Sequence, residues 1–277
     1  MVQHLIVPID GSDASWRAFD TALALAARCD ADVEVVEIAD DETEVAPTRS
    51  ALEERLAQHA EGDAVPVSSR VDVADDSVAA TLAAMVDAHP EALVVMSSHG
   101  RGRSAALLGS VTEELLRRSY GPMLVVGPHC VASEFDGPII ATVDGSHASE
   151  FGLPLAAAWG IELNGEPWIV QVADPDTFTT GDAGESAYPA RLARRLAADS
   201  SHPVQFEILH GHDVASEVTD FARSLGATMI VATTHGRTGM PRFVVGSTAA
   251  ALVRHASCPV LLLRPPHLVG STGSGSA

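Results

Sequence analysis

Lysine is absent from this chain of 277 residues, so all 17 of its basic residues are arginines. Mechanisms that need a lysine, such as Schiff-base formation or a Walker A phosphate site, are therefore excluded. Aspartate and glutamate together number 37, which gives a formal net charge of −20 at pH 7. A negative field of this size opposes binding to nucleic acid and to anionic membranes, and we expect neither as a partner.

Cysteine is scarce as well, and its pattern argues against a metal site or a disulfide framework. Cys29, Cys130 and Cys258 are odd in number and far apart, and no Cys or His cluster has the spacing of zinc ligands. We therefore expect no resident metal and three free thiols in a reducing compartment.

Long apolar runs are also missing, since none reaches the ~18 residues that a membrane-spanning helix requires. The chain starts directly with a strand pattern, without the basic segment and the cleavage site of a signal peptide. We therefore expect a cytoplasmic protein.

Glycine marks the main candidate site. An apolar run at 228–233 leads into His235-Gly236, an irregular stretch with Gly239 follows, and a helical pattern starts after Gly246-Ser247. The free N–H groups of a first helical turn favour an anion, and glycines let the backbone approach a phosphate. This stretch predicts a phosphate-binding loop. The alternative is a strand-to-helix connection whose glycines only turn the chain.

The same pattern occurs earlier in the chain, between Val95 and Ser110. The offset between the copies is nearly constant: 134 for Asp10 and Asp144, 136 for Gly100 and Gly236, and 137 for Gly109 and Gly246. This constancy predicts a tandem domain duplication. We expect domains at 1–130 and 137–266, a linker at 131–136 and a flexible tail at 267–277.

Each half alternates short apolar strand patterns with helical patterns, which predicts an α/β fold with a parallel sheet covered by helices. Ligands bind such sheets beyond the carboxyl ends of the strands, where the strand order reverses. Asp10 and Asp144 end the first strand of each half, and the glycine loops end the fourth. An aspartate at the end of the first strand can accept hydrogen bonds from the hydroxyl groups of a ribose. Its alternative role is that of a turn or capping residue, which is common for Asp-Gly.

These first-strand aspartates, the two His-Gly loops, the two Gly-Ser closures and the final apolar strands resemble the universal stress protein family over residues 1–265. The resemblance implies a tandem protein of two Rossmann-like domains. Each domain would be an open parallel five-stranded sheet of order 3-2-1-4-5, with helices on both faces. The family's ATP-binding branch carries the motif G-x2-G-x9-G-[S/T].

The second half matches most of this motif. Gly236 and Gly246 have nine residues between them and Ser247 follows, whereas Thr233 stands at the position of the first glycine.

The first half departs further from the motif. Ser97 replaces the first glycine, and only eight residues separate Gly100 from Gly109. We therefore expect the second half to bind ATP more tightly.

The resemblance implies that Asp10 and Asp144 face the ribose and that Ile38 and Val172 line the adenine. The complete implied site consists of Pro8, Asp10, Ile38, Ser97, Gly100, Gly109 and Ser110 in the first half, and of Asp144, Val172, Thr233, Gly236, Gly239, Gly246 and Ser247 in the second. The implied ligand is ATP, which can bring Mg²⁺ with it. The fifth strands, Pro122 to Val126 and Pro259 to Leu263, are expected to pair within one chain or between two.

Two further features leave alternatives open. His99 and His235 are candidates either for phosphate contact or for a structural hydrogen bond. The run from His210 to Asp213 superficially resembles the HxGH signature of nucleotidylyl transferases, but it follows a third strand and is interpreted as a loop.

Three functional hypotheses remain. The first is a non-catalytic ATP-binding regulator of the stress response. The second is a slow ATPase. The third is an interaction module that has lost nucleotide binding.

Overall fold

The computed structural model describes residues 2–59, 65–100, 108–119, 121–132, 134–177, 186–234 and 245–265, which form ten β-strands and nine α-helices. The first half runs β1 (His4–Ile9), α1 (Asp13–Cys29), β2 (Asp32–Ala39), α2 (Val45–His59), β3 (Val67–Val73), α3 (Val78–Ala88), β4 (Leu93–Ser97), α4 (Ser110–Arg118), β5 (Met123–Val126). The second half runs β6 (Ile139–Val143), α5 (His147–Glu150), α6 (Leu153–Glu162), β7 (Pro167–Ala173), α7 (Ala187–Ser200), β8 (Gln205–His210), α8 (Val214–Leu225), β9 (Met229–Thr233), α9 (Ser247–His255), β10 (Val260–Leu263). The predicted α/β class is confirmed.

The strand order within each half is 3-2-1-4-5, and all pairs inside a half are parallel. The fifth strands, expected to pair within one chain or between two, pair within the chain: β5 and β10 are antiparallel neighbours and join the two five-stranded halves into one ten-stranded sheet. Every residue of these two strands is buried. An exposed edge made of such strands would leave apolar side chains and backbone groups unpaired, and the junction covers both.

Helices cover both faces of the sheet, and each face has its own apolar core. Helices α1, α2, α6 and α7 pack on one face, and α3, α4, α8 and α9 pack on the other. Each of the two cores contains residues from both halves of the chain. The two halves therefore share both hydrophobic cores and are not two loosely tethered domains.

The antiparallel junction decides where the two candidate sites lie. Because β5 and β10 run in opposite directions, the parallel strands of one half point opposite to those of the other. The carboxyl ends of β1 and β4 therefore lie at one end of the sheet, and those of β6 and β9 lie at the other. The two candidate sites open on opposite sides of the molecule.

The segment between the halves contributes to the core. Phe135 lies in the predicted linker, has no exposed surface and belongs to the core on the α1 side of the sheet. Its φ of 53° lies in the left-handed region, which is uncommon for a bulky residue. The surrounding core therefore holds this side chain in place against a local backbone preference.

The three cysteines are free thiols, as predicted. Burial raises the pKa of Cys130 and of Cys258 to about 12. Burial, together with the nearby Glu162 carboxylate, raises the pKa of Cys29 to about 11. All three thiols are therefore protonated at neutral pH and are poor nucleophiles.

No helix within the described ranges combines the length and the apolar character that crossing a membrane requires.

The excess of negative charge makes stability sensitive to salt. A net charge of −20 repels itself in the compact state, and salt shortens the range of that repulsion from about 10 Å at 0.1 M to about 3 Å at 1 M. We expect the melting temperature to rise with NaCl, by about 2–4 °C for each kcal/mol of repulsion removed. Scanning calorimetry in NaCl and KCl at matched ionic strength tests this. A melting temperature that stays constant or falls would contradict it.

Candidate functional site

Asp10 follows the carboxyl end of β1 and organises the turn into α1. Its Oδ1 accepts hydrogen bonds from the Ser12 backbone N–H at 3.0 Å and from the Ser12 hydroxyl at 2.6 Å. Gly11 has a φ of 78°, a conformation that glycine adopts without strain. Ser12 caps α1, because its hydroxyl oxygen accepts from the Ser15 N–H at 3.2 Å. The turn role considered for Asp10 is therefore real, and Oδ1 serves it.

The second half repeats this turn at Asp144. Its Oδ1 accepts from the Ser146 backbone N–H at 2.9 Å and from the Ser146 hydroxyl at 2.6 Å, and Gly145 has a φ of 88°. Because the local sequence Asp-Gly-Ser is the same in both halves, both aspartates are held in the same way at the ends of their strands.

Gly100 brings the loop after β4 directly against Asp10. A Cβ atom added at Gly100 would lie only 2.2 Å from Asp10 Oδ2. A side chain at this position would force the Asp10 carboxylate to move. The predicted convergence of the first and fourth strands is thus observed, since β1 lies between β2 and β4 where the strand order reverses.

Gly109 closes the loop onto the start of α4. Its N–H donates to the Ser98 carbonyl at 2.7 Å, and α4 begins at the next residue, Ser110. Among the described residues, no side chain caps the first turn of α4. The N–H groups of this turn and the helix dipole therefore favour an anion at this point.

These elements enclose a cavity of about 430 Å³ in the first half. All seven residues that the sequence predicted for this half line it, namely Pro8, Asp10, Ile38, Ser97, Gly100, Gly109 and Ser110. Sequence reasoning missed a second group, which includes the polar residues Glu37, Asp40, Glu44 and Thr48 and the apolar residues Val36, Val78, Leu82 and Met96. Asp40 and Glu44 follow β2 in an acidic run, and the carboxyl-end rule applied to that strand could have found them.

His99 lies on the same cavity, next to the glycine loop. Burial, and secondly the positive charge of Arg17, lower the pKa of His99 below its ordinary value, against an opposing effect of Asp10. Its Nδ1 lies 3.0 Å from the Ser98 hydroxyl oxygen. The lowered pKa favours the neutral form of the ring, which offers hydrogen bonds rather than a positive charge.

Five of the seven residues predicted for the second half lie within the described ranges. Val172 corresponds to Ile38, because Gln171 pairs with Val143 just as Glu37 pairs with Ile9. The others are Asp144, Thr233, Gly246 and Ser247. Gly236 and Gly239 lie outside the described residues, as do His235 and the arginines of both loops.

The closure of the second loop resembles that of the first. The Gly246 N–H donates to the Thr234 carbonyl at 2.8 Å, and α9 begins at Ser247. An added Cβ at Gly246 would meet the Thr234 carbonyl oxygen at 2.9 Å, whereas one at Gly109 would have its nearest contacts at 3.4 Å. The second closure is therefore the tighter of the two.

Gly211 to Asp213 form the connection from β8 to α8, as interpreted from the sequence, whereas His210 is the last residue of β8. Asp213 caps α8, because its Oδ1 accepts from the Ala215 and Ser216 N–H groups at 3.1 and 3.2 Å. His212 Nδ1 lies 3.4 Å from Asp174 Oδ1, and its Nε2 lies 3.9 Å from Asp176 Oδ2. All three side chains are exposed and close enough to share a metal ion. Sequence spacing did not reveal this group, because its members come from different connections.

The family model of the universal stress protein family matches the chain twice, at residues 1–127 and 137–264. A universal stress protein of Mycolicibacterium smegmatis is 28% identical over 215 residues, which cover 74% of this chain and 71% of that protein. The crystal structure of a universal stress protein from Archaeoglobus fulgidus superposes with a TM-score of 0.73 at 18% identity, covering 95% of this chain and 99% of that chain. A functionally unknown protein from Pseudomonas aeruginosa superposes with a TM-score of 0.70 at 19% identity, covering 97% and 94%. With both halves matched by the family model, this chain belongs to the universal stress protein family.

Proposed function

We propose that this protein binds an adenine nucleotide, ATP, at the carboxyl end of each half and acts as a non-catalytic regulator of the stress response. The observation that supports this most is the cavity in the first half, where Asp10, Ile38 and the first turn of α4 line one space. They supply a carboxylate for ribose hydroxyls, an apolar wall for a base and free N–H groups for phosphates. A nucleotide site combines these three chemistries.

The proposal extends to the second half because its described parts repeat the first. Asp144 is held like Asp10, Val172 stands in the register of Ile38, and Ser247 starts α9 as Ser110 starts α4. Mg²⁺ would enter with the nucleotide, coordinated by phosphates. Hydrolysis is not part of the proposal, because a chain without lysine offers no Walker A cation. We place this role in the cytoplasm, where free thiols stay reduced.

One observation favours the alternative of a nucleotide-independent interaction module. Glu37, Asp40 and Glu44 line the same cavity as Asp10. Four carboxylates repel a polyphosphate unless Mg²⁺ or arginines offset their charge. The two hypotheses therefore differ in a measurable quantity, the affinity of the whole protein for Mg·ATP.

Calorimetric titration of the full-length protein with Mg·ATP separates them. We expect binding at two sites, with the tighter one in the second half because its loop has the nine-residue spacing. Asp10→Asn and Asp144→Asn assign the sites, since asparagine keeps the oxygen that accepts from Ser12 or Ser146 but loses the charge. Each variant should weaken only its own site, by about tenfold to a hundredfold for one charge-assisted hydrogen bond.

Native mass spectrometry of gently purified protein provides the independent check, because it counts nucleotides that copurify. No binding at millimolar Mg·ATP, together with no copurified nucleotide, would favour the interaction module. Equal weakening of both sites by either variant would contradict the assignment of one aspartate to each site.

A further inference from the structure

The outer face of the helix after β6 carries apolar side chains in a regular pattern. Phe151 and Gly152 keep helical backbone angles between α5 and α6, so residues 151–161 follow one helical spacing. Phe151 is 44% exposed and Ile161 is 45% exposed. Pro154 and Ala158 are also exposed, and Leu155 is partly exposed. These five residues form what we call the α6 stripe.

The duplication provides an internal comparison for this surface. Asp30 and Asn164 follow α1 and α6 with φ values of 52° and 54°, and their offset of 134 is that of Asp10 and Asp144. At this offset, Arg17 and Asp20 stand where the second half has Phe151 and Pro154, and all four are exposed. The other three stripe positions correspond to Thr21, Ala24 and Ala27. The first half thus has two charges and no large apolar side chain on this face, so the large apolar side chains of the stripe are a property of the second half rather than of the fold.

Arginines lie beside the stripe. Helix α7 packs against α6, and Arg195 Nη2 lies 3.4 Å from Glu150 Oε2, one residue before Phe151. The Tyr188 hydroxyl donates to Glu150 Oε1 at 3.0 Å, and the guanidinium of Arg191 lies 5.6 Å from the centre of the Tyr188 ring. Both arginines are exposed. Helix α7 therefore places one positive group, Arg191, near the Phe151 end of the stripe, while the charge of Arg195 is paired with Glu150.

We propose that the α6 stripe and the adjacent arginines of α7 form a docking surface for an acidic amphipathic helix of a partner protein. A helix lays its apolar face along such a stripe through side chains at positions i, i+4 and i+7. Acidic side chains on the flank of that helix then meet Arg191 and compete with Glu150 for Arg195, so local charge complementarity selects the partner. The net negative charge of the whole protein would instead favour a basic partner, so the proposal and the overall charge predict opposite results.

The test uses two synthetic peptides of about 18 residues, both with leucine at helical spacing, one with glutamates and one with lysines at the remaining charged positions. Binding to the full-length protein is measured by fluorescence anisotropy. We expect the acidic peptide to bind at least about tenfold more tightly than the basic one. Tighter binding of the basic peptide, or no binding of either, overturns the proposal.

Matched variants locate the contact. Ile161→Asp should weaken the acidic peptide at least about tenfold, whereas Val214→Asp, on α8 at the opposite face of the sheet, should not. Arg191→Glu should weaken it too. Arg223→Glu, also on α8, changes the net charge equally and should have little effect. Equal effects within either pair overturn the proposal.

A second copy of this chain is the other possible occupant of the stripe, and sedimentation velocity tests for it. Self-association that Ile161→Asp abolishes would show that a second copy covers the stripe, which also overturns the proposal.

Discussion

A Gly100→Ala variant is expected to bind ATP at the first site about tenfold to a hundredfold more weakly than the wild type, the loss that accompanies one charge-assisted hydrogen bond. The new Cβ would lie 2.2 Å from Asp10 Oδ2, so the carboxylate has to move. The other carboxylate oxygen accepts a hydrogen bond from the Ser12 hydroxyl at 2.6 Å, so moving the carboxylate also disturbs the turn into α1. Calorimetric titration of the full-length protein measures the change.

Gly121→Ala is the matched control, because it adds the same methyl group at a glycine outside the residues that line the cavity. Its Cβ would have its nearest contact at 3.9 Å, with the Ser119 hydroxyl oxygen. We expect near-wild-type affinity and melting temperature for this variant. If Gly100 served only to turn the chain, Gly100→Ala would lower the melting temperature without ligand and leave the affinity of the folded protein unchanged. That outcome would remove Asp10 from the proposed site.

Gly246 is a less suitable position for the same experiment. A Cβ there would press against the Thr234 carbonyl oxygen at 2.9 Å, so Gly246→Val would damage the backbone closure as well as a phosphate contact. Its effects on stability and on binding could not be separated. Gly100 is better, because its predicted clash is with the side chain proposed to bind the ligand.

A Phe135→Ala variant is expected to lower the free energy of unfolding by about 3–5 kcal/mol, the usual loss for a fully buried aromatic residue. Phe135 has no exposed surface and belongs to a core to which both halves contribute. Its removal leaves a cavity in that shared core. Denaturant unfolding at constant salt measures the loss, because salt alone also changes the stability of this acidic protein.

Val131→Ala is the control for Phe135→Ala, because Val131 lies in the same segment but is 66% exposed. It should change the unfolding free energy by no more than about 0.5 kcal/mol. Similar stabilities of the two variants would mean that the segment is a plain tether. An intermediate in the unfolding of Phe135→Ala, absent in the wild type, would show that the halves have begun to unfold separately.

Local features of the site could be predicted because they depend on neighbours in sequence. Asp-Gly-Ser favours a turn into a capped helix, and it forms one at both Asp10 and Asp144. The position of Ile38 beside the site followed from the family resemblance. Glu37 and Thr48 were missed, although they line the same cavity, since nothing in their local sequence distinguishes them from other surface residues.

The sequence by itself determined the duplication, the alternation of strands and helices, and the placement of aspartates and glycines at strand ends, because each of these is a repeated or short-range pattern. The family resemblance left open whether the fifth strands pair within one chain or between two. Only the tertiary structure decided that β5 and β10 pair within the chain, that the sites open at opposite ends of the joined sheet, and that Phe135 fills the shared core. These features depend on which apolar surfaces meet over long sequence separations. Many pairings of buried strands satisfy the same local pattern, and only the packing of the whole chain selects one of them.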